Sequence, residues 1–116
     1  MLAFLAIAIS LGTPQMAVCA YDPEMRQISN TGNPTPQYEA TVKPWFKAKD
    51  ALTVAGARYA PSGPPKAHYN TYFYLLAMKD GVPIFVRDLD EAAPGLVYLL
   101  VDSDRCGFQA YARIPG

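Results

Sequence analysis

From Tyr38 onward the chain is cut into short apolar runs by Pro, Gly, Asn and Asp about every 8 to 15 positions, which is the punctuation of an all-β protein. Such spacing leaves no stretch long enough for an amphipathic helix of several turns. Residues 51–59, ALTVAGARY, read as a hairpin in which Leu52 and Val54 share one face and Ala55-Gly56 turns the chain. Residues 69–78, YNTYFYLLAM, and residues 82–86, VPIFV, flank Lys79-Asp80-Gly81, and Asp-Gly between apolar runs is a strong hairpin signal. Residues 96–101, LVYLLV, show no alternation and predict a central strand buried on both faces. Phe108, Ala110 and Ala112 alternate with Gln109, Tyr111 and Arg113, which predicts a last strand lying at the sheet edge.

Two further segments complete this reading. Residues 38–43 alternate Tyr, Ala and Val with Glu, Thr and Lys, and Pro44 ends the run or marks it as an edge strand. Residues 60–67, APSGPPKA, hold three prolines and a glycine, so no strand or helix is expected to cross this main internal loop. The expected fold is all-β, a small barrel or rolled antiparallel sheet of five to six short strands. The alternative is α+β with one short helix, placed in residues 21–37 or in residues 87–95, where Asp88 would cap a turn running from Leu89 to Ala92.

Composition narrows the partners. Of 116 residues 51% are hydrophobic and 17% charged, so the chain has ample material for one core and is not of the disordered class. Ten Lys plus Arg balance ten Asp plus Glu, which removes the long-range positive field that draws a protein to nucleic acid. No nucleic-acid partner is expected.

Residues 1–20, MLAFLAIAISLGTPQMAVCA, carry no charged side chain, and their apolar run from Leu2 to Ile9 gives way to Gly12, Thr13 and Pro14. This is the pattern of a signal peptide, although the usual basic residues before the run are absent. Val18 and Ala20 fill the small-residue positions before a cut, so the expected mature chain begins at Tyr21. No integral membrane span is expected in it, because crossing takes about 20 apolar residues and Pro14 with Gln15 interrupts the run. Met16 and Val18 do not fit a lipoprotein signal around Cys19. Loss of Cys19 would leave Cys106 as the single mature cysteine, without an internal disulfide, either buried as a small hydrophobe or pairing two chains in a disulfide dimer. Residues 21–37, YDPEMRQISNTGNPTPQ, read as a Pro-rich linker with at most one helical turn over residues 24–28. The expected organisation is thus a leader over 1–20, a linker over 21–37 and a compact β domain over 38–116.

Candidate chemistry is sparse. Residues 102–107, DSDRCG, echo the opening of a calcium loop, but Cys106 at the fifth position and Arg113 at the twelfth are unsuited to Ca²⁺. Asp88, Asp90 and Glu91 add acidic groups of the kind that are ordinarily solvated. One His and one mature Cys cannot close a zinc shell, and no metal or cofactor is expected. A small enzyme would have to use His68, the only histidine, with a carboxylate or with Cys106, and no nucleophile motif surrounds either.

The segment Lys43-Pro44-Trp45-Phe46-Lys47-Ala48-Lys49 interleaves three cations with two aromatics, a mixture suited to charge and stacking contacts with a partner. A purely structural account has Trp45 or Phe46 plugging the core while the lysines guard an edge. Tyr72 and Tyr74, two apart on one face, pose the same choice. The expectation is an exported, non-enzymatic binding module of the cell envelope or exterior, whose partner is an unidentified envelope protein or polymer. Its contact residues would be Lys43, Trp45, Lys47, Lys49, Tyr72 and Tyr74. A structural subunit of an envelope assembly and a small His68 enzyme are the rival expectations.

Overall fold

A computed structural model describes residues 18–30, 32–69, 71–87 and 94–115. In chain order its strands are β1 (Ala20–Asp22), β2 (Gln27–Ser29), β3 (Leu52–Val54), β4 (Ala57–Pro61), β5 (Lys66–Ala67), β6 (Tyr74–Lys79), β7 (Val82–Val86), β8 (Leu96–Asp102) and β9 (Gly107–Arg113). One helical turn, α1 (Pro44–Lys47), and three short 3-10 turns complete the described elements. The fold is all-β, a rolled antiparallel sheet in the order β1-β2-β6-β7-β8-β9-β4-β3, with β5 also pairing β9.

Local chemistry explains the hairpins. Ala55 and Gly56 have φ of 50° and 80°, and Asp80 and Gly81 have φ of 50° and 81°. Two successive left-handed residues make the turn whose twist matches that of paired strands. Both tight turns therefore fall where the sequence places them.

β7 and β8 are buried on both faces. Val82, Ile84 and Val86 with Val97 and Leu99 face one core, joined by Leu52, Val54, Tyr59 and Tyr111. Phe85 with Tyr98 and Leu100 face a second core, joined by Tyr21, Ile28, Phe73 and Phe108. The alternation of side chains along a strand divides each run between the two cores. Each buried large aliphatic side chain contributes about 1.5–3 kcal/mol, so residues 97–100, all buried, form the energetic centre of the sheet.

Several expectations are corrected. β9 is not an edge: it pairs β8 along one side, and β4 and β5 along the other. Its polar residue Gln109 is only 6% exposed because its amide is taken up by loop carbonyls rather than by water. Residues 38–47 form no strand. Pro36 and Pro44 stand at the first positions of a 3-10 turn and of α1, where their fixed φ and missing N–H suit a helical start. Residues 21–37 are not a free linker either, since Tyr21 and Ile28 pair across the β1–β2 hairpin and both are buried. Asp22 supports that turn by accepting the backbone N–H groups of Glu24 and Met25.

The largest correction concerns the cysteines. Cys19 and Cys106 form an intramolecular disulfide, with Cα atoms 4.8 Å apart, and both residues are buried. No thiol remains for a disulfide dimer through Cys106, and a chain beginning at Tyr21 would lack the partner sulfur. Ser103, fully buried, ties the same region together. Its backbone O accepts the Cys19 N–H at 3.0 Å and its Oγ donates to the Cys19 carbonyl at 2.8 Å. The Ser103 N–H donates to a Glu39 carboxylate oxygen at 2.8 Å, and Ser103 Oγ accepts the Thr35 N–H at 2.8 Å. Through these bonds the first strand, the 3-10 segment and the β8–β9 turn share one buried polar node.

The leader as far as residue 17 and the acidic connection over residues 88–93 lie outside the described residues. Among the described residues no helix is long and apolar enough to cross a membrane.

Candidate functional site

The segment over residues 43–49 is a helical turn, and its aromatics serve the core first. Trp45 and Phe46 are half-buried and pack on the cluster around Ile84 and Leu99. The Trp45 indole Nε1 donates to Asp80 Oδ2 at 2.9 Å, and Lys79 Nζ lies 5.4 Å from the ring centroid, a cation–π contact. Trp45 thereby clips α1 to the β6–β7 turn. Lys47 and Lys49 are exposed and Lys43 is half-buried, so the cations project around this anchored ring.

Tyr72 and Tyr74 belong to another place. Tyr72 is 77% exposed and precedes β6, while Tyr74 opens β6 opposite Val86 and Gln27. Trp45 meets the far end of β6, at Lys79, roughly 15 Å of strand away. The tyrosines and the basic turn are thus not brought together along this strand.

What adjoins the basic turn is a cleft of about 300 Å³. Phe46 and Lys49 form one wall, Pro61, Pro64 and Pro65 form the other, and Gln109 with Tyr111 forms the floor. The proline loop leaves β4 at Pro61, directly opposite Tyr111 in the ladder, and rejoins the sheet at β5. Three carbonyls fix it to β9. Gln109 Nε2 donates to Gly63 O and Ala110 O at 2.9 Å each and to Ser62 O at 3.4 Å, and the Ser62 N–H donates to Ala110 O at 2.9 Å.

Tyr111 lines this cleft but belongs to the core beneath it. Its side chain is fully buried, and its hydroxyl has no hydrogen-bond partner among the described residues. Burial pushes its pKa up to about 12, with the Asp50 carboxylate acting in the same direction, so at neutral pH the group is a protonated donor. A buried hydroxyl left unpaired costs about 1–3 kcal/mol.

A second cleft of about 280 Å³ lies on the other side of the proline loop, where Phe108 and Ala110 meet Leu96, Tyr98, Lys66 and His68. The His68 ring stands edge-on to Phe73, Tyr98 and Phe108, with centroids 5.5 to 5.9 Å apart. Burial lowers its pKa, and Arg87 and Lys66 lower it further, which keeps the imidazole neutral at pH 7. The His68–Cys106 dyad is overturned because the sulfur is bonded to Cys19. Asp88, Asp90 and Glu91 lie outside the described residues. In residues 102–107 a 3-10 turn, Ser103–Arg105, is capped by Asp102, whose carboxylate accepts the Arg105 N–H. Among the described residues no group of three or more His, Cys, Asp or Glu is placed to hold a metal.

Sequence reasoning located the basic turn and the proline loop separately but missed their junction. The available signal was the alternation over residues 108–113, which puts Gln109 and Tyr111 on one face. That the loop folds over this face depends on the long-range pairing of β4 and β5 with β9. No family model, curated protein or solved structure matches the chain.

Proposed function

We propose that the protein is an exported, non-enzymatic binding module of the cell envelope or exterior, and that its partner docks on the basic turn and the cleft beside it. The observation that carries the reading is the open cleft of about 300 Å³ beside the basic turn, lined by Phe46 and Lys49 on one side and by the proline loop on the other. Lys49 lines the cleft, and Lys43 and Lys47 add positive charge at the two ends of the helical turn that leads to it, favouring an anionic envelope protein or polymer, while Trp45 holds the turn in place. The disulfide supports the export reading, because such bonds persist in oxidising compartments.

Capture from envelope extract tests this. Replacing Lys43, Lys47 and Lys49 together by Ser is expected to weaken capture at about 0.1 M salt, and to erase most of its salt dependence, because exposed charges act through a screened field. Lys47 and Lys49 are exposed and Lys43 is half-buried, so the melting temperature should fall by no more than a few degrees, since charges so placed contribute little to stability. Capture of the same partners at equal strength by the triple variant would remove this edge from the function, and loss of folding would assign the lysines to structure.

A further inference from the structure

We infer that the exported protein retains Cys19, its leader being removed between Gly12 and Val18 and not after Ala20. This rests on the export reading above. Leader removal precedes folding, so burial does not shield the Ala20–Tyr21 bond. The folded domain, however, uses both residues that such a cut would remove.

Cys19 is 1% exposed and bonded to Cys106. Its N–H and carbonyl both bond Ser103, and Asn30 Nδ2 lies 3.3 Å from its sulfur and 3.5 Å from the Val18 carbonyl. Ala20 is 7% exposed and pairs with Ser29 in the first hairpin. A cut after Ala20 would discard one sulfur, strand Cys106 as a buried thiol, and leave Ser103 Oγ and O without acceptor and donor in a fully buried site. Each such orphaned polar group opposes folding. Upstream, Ser10-Leu11-Gly12 places small residues at the two positions that a leader peptidase reads, and Ala17 places one directly before Val18. Hydrolysis at either bond adds one water and leaves the described domain whole. The Cys19 and Cys106 thiols then pass two electrons and two protons to the thiol oxidant of the compartment.

The test is intact-mass analysis and N-terminal sequencing of the full chain, carrying a C-terminal tag and recovered from the exported fraction without reductant. A mature N-terminus from Thr13 to Val18 is expected, with a mass two hydrogens below the dithiol. No thiol should alkylate before reduction, and two should alkylate afterwards. A chain beginning at Tyr21 with a single alkylatable thiol overturns the inference while leaving export intact. Met1 retained in the exported fraction overturns it as well. Accumulation of the uncut chain in the cytosol, with both thiols alkylatable, overturns the export reading itself and the inference with it.

Discussion

At Tyr111 a phenol occupies a position where a phenyl ring would pack equally well, and its hydroxyl is buried without a partner among the described residues. Tyr111→Phe is therefore expected to leave the unfolding free energy at pH 7 unchanged or to raise it by up to about 1–3 kcal/mol, as read by urea denaturation. The folded pKa, about 12, lies above the ordinary value of 10, so the fold favours the neutral form. That contribution is intact below pH 10 and is lost as pH rises toward 12. Wild type should accordingly lose stability over that window by an amount on the order of 2 kcal/mol more than the Phe variant. Tyr21, also shifted upward by burial, gives both proteins a shared alkaline decline, and equal slopes for the two would refute the assignment to Tyr111.

Among the elements, β8 lies centrally between β7 and β9, with residues 97–100 buried on both faces. Leu99 pairs with Ile84 and Gln109 and is fully buried. Leu99→Asp places a charge without a partner in that core and is expected to cost several kcal/mol. A thermal melt within a degree or two of wild type would refute this placement. β8 and the two tight hairpins were legible because their determinants are local: an unbroken apolar run, Ala55-Gly56 and Asp80-Gly81. Residues 38–43 misled because their alternation imitates a strand, whereas Pro36 and Pro44 set helical φ values that dominate locally. The β1–β2 hairpin was hidden for the opposite reason. Its turn-rich composition masks two apolar residues, Tyr21 and Ile28, whose burial is settled by Phe73 and Phe85 far along the chain. The cleft was half legible, since Lys49 and the prolines stand out in sequence while the fold of the loop over Tyr111 does not. The disulfide is not legible while the leader is read as ending at Ala20, because that boundary leaves Cys106 without a partner sulfur.

For the molecule as a whole, the Cys19–Cys106 bond joins residues 87 apart, and closing so long a loop lowers the entropy of the unfolded chain by an amount worth about 4–5 kcal/mol in the chain-entropy account. Cys106→Ser is expected to lower stability by about 2–5 kcal/mol, measured by urea denaturation without reductant. Wild type in excess dithiothreitol should approach the same value, and an unchanged midpoint in both would show that the sheet stands without its staple. The sheet order carries a separate consequence for synthesis. β9 lies between β8 on one side and β4 with β5 on the other, so β4, made some fifty residues earlier by the count from Ala57 to Gly107, has only its short hairpin mate β3 until β9 arrives. Two-stranded hairpins alone are marginal in water. Closure of the roll therefore waits for residues 107–113, and until they emerge the nascent chain stays open enough to be threaded through a pore.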